Sequence, residues 1–116
     1  MNKKTRFVIV GFDGLRPDNI SDDMPTLAAF IEKSHHWSRY MATFPTETYV
    51  NHPTIFSGFR PNQHGIIANA YFNRNVPAKD AVFRGNSVAS IEAHDAISDV
   101  IEVPTLGDRL GAAGKT

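Results

Sequence analysis

The chain has 116 residues, the size of one small domain or of a piece of a larger one. Lys and Arg together number 12, as do Asp and Glu, so the net charge gives no reason to expect a nucleic-acid polymer or an anionic membrane as a partner. Hydrophobic residues make up 41%, enough for a core, and the lack of cysteine excludes disulfides and thiolate metal sites.

The N-terminal stretch "MNKKTRFVIVGF" does not read as an export signal. Its apolar run "FVIVGF" is shorter than the about 7–15 residues of a signal-peptide core, and no small-residue cleavage site follows. No segment approaches the about 18 apolar residues of a membrane span. These features predict a soluble protein of the cytoplasm, with a removed leader as the alternative.

The first two predicted elements are a strand and a helix. Residues 6–12, "RFVIVGF", form a continuous β-branched and aromatic run, which is typical of a strand buried on both faces in a parallel sheet. Residues 25–34, "PTLAAFIEKS", carry apolar side chains at helical spacing, and Pro25 suits a first helical turn.

Four further segments complete the predicted order. Residues 48–58, "TYVNHPTIFSG", favour a helix that ends at its glycine, and "IIANAYF" (66–72) is extended. Residues 73–84 are loop-like, whereas 87–103 fit either a helix or strands. Residues 104–114 predict a short helix. This alternation is typical of an α/β fold, and no strand follows the last helix, so we expect the N-terminal part of a longer domain.

Asp13 is the first candidate for chemistry. It follows the predicted strand directly, and open α/β folds bind ligands at the carboxyl edge of the sheet. A turn aspartate before Gly14 is the alternative.

Thr48 is the second candidate. A threonine hydroxyl can act as a nucleophile when a bound metal ion lowers its pKa. At the start of a helix, it would also place backbone N–H groups beside an incoming phosphate. A simple helix cap is the alternative function of this residue.

Asn69 is the third candidate, because its side-chain N–H could donate to an anionic oxygen; an asparagine that ends a turn is the alternative. The histidines lack the spacing of a helical metal motif, and we expect none of them as a ligand. They are His35, His36, His52, His64 and His94.

Four motifs in residues 6–72 together resemble the type I phosphodiesterase/nucleotide pyrophosphatase family of the alkaline phosphatase superfamily. They are "VIVGFDGLRPD", "MPTLAAFIE", "FPTETYVNH" and "FSGFRPNQHGIIAN". The resemblance implies an alkaline-phosphatase-like three-layer sandwich with a mostly parallel sheet, of which residues 1–116 are the N-terminal portion.

The resemblance also implies roles for single residues. Asp13 matches a metal-binding aspartate, and Thr48 matches a nucleophile that also ligates a metal. Asn69 matches a residue that binds a phosphoryl oxygen, and Tyr49 an aromatic residue beside the leaving group. The implied reaction hydrolyses phosphodiester or pyrophosphate bonds of small nucleotide-type substrates through a phospho-threonine. It would use two Zn²⁺ ions about 3.5–4 Å apart, whose other ligands lie beyond residue 116.

Two positions depart from the family pattern, and two other functions stay open. Val50 stands where the family has a proline, and Glu47 stands where it has a lysine. The negative charge of Glu47 would disfavour a doubly charged substrate if its side chain faces the site.

A phosphonate hydrolase of the same superfamily is one alternative function. A non-catalytic module or inactive fragment is the other, and the 116 residues alone are expected to be inactive. Residues 75–103 match no motif of the family.

Overall fold

A computed structural model describes residues 6–115. The chain divides into two compact units, Met1–Tyr40 and Met41–Thr116. Residues 1–5 and residue 116 lie outside the described part. No helix among residues 6–115 is long and apolar enough to cross a bilayer.

In the first unit, residues 6–12 do not form the predicted strand. Phe7 and Val8 are 89% and 81% exposed, and within residues 6–40 no strand lies beside this segment. An apolar run becomes a strand only when a neighbour pairs with its N–H and C=O groups. The prediction of a buried parallel strand is therefore wrong for the described residues.

Helix α1 (Pro25–Glu32) confirms the first predicted helix. Pro25 stands at the first helical position, where its missing N–H would have no partner within the helix. The helix ends at Lys33, whose N–H donates to the Phe30 carbonyl at 3.2 Å. A single 3₁₀ turn, Pro17–Asn19, precedes α1.

In the second unit, α2 (Thr48–Ser57) confirms the second predicted helix. It ends at Gly58, whose φ of 77° is open to glycine at no steric cost and whose N–H donates to the Thr54 carbonyl at 2.9 Å. Pro53 lies inside the helix and removes one internal hydrogen bond. A one-turn helix, α3 (Pro61–His64), follows.

Two short strands follow the helices and form an antiparallel pair. Strand β1 (Ala70–Phe72) lies within the predicted extended run, and β2 (Val82–Arg84) lies in a segment predicted as loop. Tyr71 pairs with Phe83 at the centre. This is the one sheet among residues 6–115. The described part is thus a small mixed α/β structure without the predicted parallel sheet.

Two helices complete the second unit. Helix α4 (Val88–Asp95) occupies the first half of the ambiguous segment, and Ser87 caps it by accepting the Ser90 N–H. Residues 96–103 form neither a helix nor a strand. Helix α5 (Leu106–Ala112) confirms the last predicted helix. Thr105 and Asp108 form a capping box at its start, and the hydrogen bond from Thr105 lowers the pKa of the Asp108 carboxyl.

The core of the second unit is small and includes two histidines. Its buried apolar side chains are Val50, Ile66, Val76, Ala81 and Phe83. His94 is 3% exposed and meets the Phe83 ring edge-on at 5.2 Å, and its Nδ1 donates to the Ser90 carbonyl at 2.8 Å.

His64 is fully buried and joins α2 to the segment after α3. Its Nδ1 accepts the Ile66 N–H at 3.2 Å, so its proton resides on Nε2, which donates to Oγ1 of Thr54 at 3.0 Å. The Thr54 hydroxyl in turn donates to the Val50 carbonyl at 3.0 Å. Burial away from water lowers the pKa of His64 below its ordinary 6.5.

The lowered pKa of His64 predicts a loss of stability in mild acid. Below pH 6.5, the unfolded chain takes up a proton that the folded chain resists, so stability present above this pH falls as the pH drops through the folded pKa. We expect the free energy of unfolding to drop more between about pH 7.5 and about pH 5.5 in the wild type than in His64→Gln.

The measurement is urea unfolding of both proteins at the two pH values. His52→Gln is the control, because His52 is exposed on α2 and should leave the pH dependence unchanged. Equal pH dependence in wild type and His64→Gln would contradict this account of His64.

Candidate active site

The loop that precedes α2 is held by one side chain, that of Asn51. Its Oδ1 accepts the Thr43 N–H at 2.9 Å, and its Nδ2 donates to the carbonyls of Pro45 and Glu47 at 3.3 and 3.0 Å. These contacts tie the loop to the first turn of the helix that follows. They fix the backbone that leads into Thr48.

Thr48 is the first residue of α2, and the residue after it is bound by Asn69. The backbone N–H of Tyr49 donates to Oδ1 of Asn69 at 2.9 Å. The first N–H groups of a helix have no partner within the helix, so Asn69 caps α2 from 20 residues downstream. The structure therefore brings three predicted site residues together.

The backbone of Asn69 is fixed on both sides. Its N–H donates to the carboxylate of Glu47, the residue immediately before Thr48. Its carbonyl accepts the Gly85 N–H at 3.0 Å. In the side chain of Asn69, Oδ1 accepts the Tyr49 N–H. The amide nitrogen Nδ2 is the donor of this side chain and can donate to a further oxygen.

Gly85 lies against the ring of Tyr49. A Cβ atom at this position would overlap the ring, with Cδ1 of Tyr49 at 2.7 Å. The position is buried, and any larger residue would displace the tyrosine. Gly85 follows β2, so this contact places the segment after β2 beside Tyr49.

A cavity of about 720 Å³ opens beside Tyr49. Helix α2 contributes Tyr49, His52, Pro53 and Phe56 to its wall. Its lining also includes four acidic residues: Asp95, Asp99, Glu102 and Asp108. The volume lies within the range of about 300–1,000 Å³ that small-molecule sites occupy. The residue next to Thr48 thus borders a space large enough for a nucleoside-sized group.

The Gly85 contact predicts a specific effect of Gly85→Ala. The added methyl group must push the Tyr49 ring aside, so we expect the protein to lose about 1–3 kcal/mol of unfolding free energy. Gly111→Ala in α5 is the matched control, because a Cβ there meets nothing within 4 Å. Alanine in a helix should leave stability equal or raise it by up to about 1 kcal/mol. Equal urea midpoints for Gly85→Ala and wild type would contradict the close contact.

Asp13 lies in the first unit, at a turn after residues 6–12. The turn is closed by the Leu15 N–H, which donates to the Phe12 carbonyl at 3.4 Å, and Gly14 takes the positive φ of 71° that this turn requires. The carboxylate of Asp13 is exposed. Thr48, Tyr49 and Asn69 all belong to the second unit.

The described residues do not make a complete zinc site. The Asp13 carboxylate and the Thr48 hydroxyl are oxygen donors of the type that such ions accept, but a catalytic zinc takes at least three protein ligands. Across residues 6–115, no group of three or more His, Asp or Glu side chains is placed to hold a metal ion. The part of the chain that the structure describes therefore does not by itself fit a two-zinc centre.

Comparison with known proteins identifies relatives for the greater part of the chain. It is 36% identical over 69 residues to bis(5'-adenosyl)-triphosphatase enpp4 of Mus musculus, which covers 59% of this chain and 15% of the relative. It is 31% identical over 77 residues to venom phosphodiesterase 2 of Crotalus adamanteus, covering 64% of this chain and 10% of the relative. It is 35% identical over 79 residues to alkaline phosphatase PhoK of a Sphingomonas species, covering 64% and 14%.

These coverages mean that the chain spans about a seventh of the length of such relatives, or less. No solved structure matches the chain. The sequence model of one family matches residues 7–107, from the extended N-terminal run to the second residue of α5. With most of its residues matched in this way, the chain belongs to the type I phosphodiesterase / nucleotide pyrophosphatase family.

Proposed function

We propose that the whole protein is a metal-dependent hydrolase that cleaves phosphodiester or pyrophosphate bonds of nucleotide-type substrates through a phospho-threonine intermediate. Membership of the family supports this class of reaction. The names of the relatives, a bis(5'-adenosyl)-triphosphatase and a venom phosphodiesterase, support it as well. The hydrogen bond from the Tyr49 N–H to Oδ1 of Asn69 supports the assignment of this reaction to particular residues, because it holds Asn69 next to the start of α2, where Thr48 lies.

In the proposed first step, Oγ1 of Thr48 attacks phosphorus. The Oγ1–P bond forms as the bond from phosphorus to the leaving oxygen breaks; the hydroxyl proton of Thr48 passes to solvent water, and the leaving oxygen takes up a proton from solvent water as it departs. Phosphorus keeps its second ester group at this stage. Water then attacks phosphorus, the Oγ1–P bond breaks, and a phosphate monoester is released with the threonine restored.

The groups around Thr48 suit the charge that develops on the phosphoryl oxygens. The side-chain Nδ2 of Asn69 would donate to one of them, and the first turn of α2 places its positive end at the same point. Donors that are already fixed need no rearrangement during the reaction. Here Asn69 is fixed through its own backbone, by Glu47 on one side and Gly85 on the other.

Asp13 and Thr48 would be two of the ligands of the metal centre in the whole protein. A pair of Zn²⁺ ions would supply positive charge to the phosphate and lower the pKa of the attacking hydroxyl. We propose that residues 1–116 are the N-terminal portion of an alkaline-phosphatase-like three-layer sandwich and are inactive alone. The small share of each relative that the chain matches supports this arrangement.

Tyr49 is proposed to contact the leaving group. Its ring is held against Gly85 and borders the cavity of about 720 Å³. An aromatic face offers a nucleotide base a stacking surface. The residue directly after the nucleophile would thereby orient the part of the substrate that departs.

The proposed function is tested with the purified whole protein and zinc. Turnover of bis-p-nitrophenyl phosphate that a chelator abolishes and Zn²⁺ restores is the expected result. Turnover of phosphonoacetate in place of the diester would instead identify a phosphonate hydrolase. A protein that cleaves neither substrate, with or without zinc, would be the non-catalytic module.

A further inference from the structure

The carboxylate of Glu47 is in contact with Asn69, a residue of the proposed phosphate site. Glu47 precedes Thr48, and its extended backbone, with φ of −110° and ψ of 150°, leads into α2. Its side chain folds back and accepts the backbone N–H of Asn69. The carboxylate therefore contacts the residue proposed to bind a phosphoryl oxygen, and it belongs to the residue directly before the proposed nucleophile.

Among residues 6–115, no Lys or Arg side chain forms an ion pair with Glu47. The ion pairs within the described part of the chain join Arg16 with Asp18 and Lys79 with Asp80, and neither of them involves Glu47. Glu47 is only partly exposed, and a charge shielded from water acts on its neighbours more strongly than one in bulk solvent. A substrate phosphate bound at Thr48 would be repelled by the negative charge of the Glu47 carboxylate.

The effect of such a field depends on the charge of the substrate. A phosphodiester carries one negative charge at neutral pH, whereas a phosphate monoester carries about 1.5–2. Repulsion by a fixed carboxylate grows with the charge that it faces. It therefore disfavours the monoester more than the diester, whatever attraction both substrates share with the rest of the site.

We propose that Glu47 is a specificity-determining residue, which makes this site select singly charged phosphodiesters over doubly charged phosphate monoesters. This inference rests on the proposed function, because it takes Thr48 as the point of attack. It adds a prediction that the proposed function does not make, namely that the monoester product leaves the site readily.

The test compares two substrates in three proteins. The ratio of kcat/KM for p-nitrophenyl phosphate to kcat/KM for bis-p-nitrophenyl phosphate is measured in wild type, Glu47→Gln and Glu92→Gln. Glutamine keeps an oxygen that accepts the Asn69 N–H but removes the charge. We expect the ratio to rise about tenfold in Glu47→Gln. Glu92, exposed on α4, is the matched control and should leave the ratio within about twofold.

Binding gives the same comparison without turnover. The affinity for inorganic phosphate relative to dimethyl phosphate, measured by calorimetry, should rise by a similar factor in Glu47→Gln. A Glu47→Gln protein that cleaves the diester with an unchanged ratio overturns the role of Glu47 and leaves the proposed function intact. A wild type that cleaves neither ester overturns both.

Discussion

Replacement of Thr48 by alanine is expected to reduce kcat for bis-p-nitrophenyl phosphate in the whole protein by about 10⁴-fold or more. The loss of a nucleophile removes the covalent route, and what remains is the binding of the substrate by the surrounding groups. Stability should change little, because Thr48 is the first residue of α2 and is not part of the buried core. Steady-state kinetics with saturating zinc, together with a thermal melt, measure both quantities.

Thr46→Ala is the matched control for Thr48→Ala. It removes the same atoms two positions away, from an exposed residue in the loop before α2. Its kcat should stay within about threefold of the wild-type value. If Thr48→Ala turned over the diester as fast as Thr46→Ala, the assignment of the nucleophile would be wrong.

Asn69→Asp is expected to reduce kcat by about 10²–10³-fold, the usual effect of removing one donor to a developing negative charge. Aspartate keeps an oxygen for the Tyr49 N–H, so the cap of α2 and the stability of the protein should be retained. Its carboxylate cannot donate to a phosphoryl oxygen and adds a negative charge.

Asn69→Ala separates the two roles of this residue. It should show a similar fall in kcat and, in addition, lose about 1 kcal/mol of unfolding free energy, because the N–H of Tyr49 loses its partner. Wild-type kcat in Asn69→Asp would mean that Asn69 only caps the helix.

The helices could be predicted from the sequence because their signals are local. Pro25 at a first turn, Gly58 at a helix end and the box of Thr105 and Asp108 all act within a few residues. The short antiparallel pair could be predicted only in part. Strand β2 (Val82–Arg84) depends on its partner β1 (Ala70–Phe72), and a strand exists only through such pairing.

The sequence motifs identify candidate residues for the site, but they do not predict the contacts among those residues. The sequence placed Thr48, Tyr49 and Asn69 as candidates, whereas the hydrogen bond that joins the last two spans 20 residues. The contact of Gly85 with Tyr49 joins residues still farther apart in the chain and left no pattern in the sequence. Asn51 had one usable signal, since it stands one helical turn after Thr48, where a polar side chain can reach back to the preceding loop.

Two of the histidines, His64 and His94, are part of the core of the second unit. His64 is buried with both ring nitrogens in hydrogen bonds, and His94 packs against Phe83. Neither belongs to a group of three potential ligands within residues 6–115.

The central claim is that Thr48 carries the substrate phosphorus during turnover. The most direct test is acid quenching of the whole protein during turnover of bis-p-nitrophenyl phosphate, followed by peptide mass spectrometry. The account predicts a nitrophenyl-phosphoryl group on the peptide at Thr48, and its absence from that peptide in Thr48→Ala. Rapid turnover with the group on another residue, or with no covalent adduct at any time point, would contradict it.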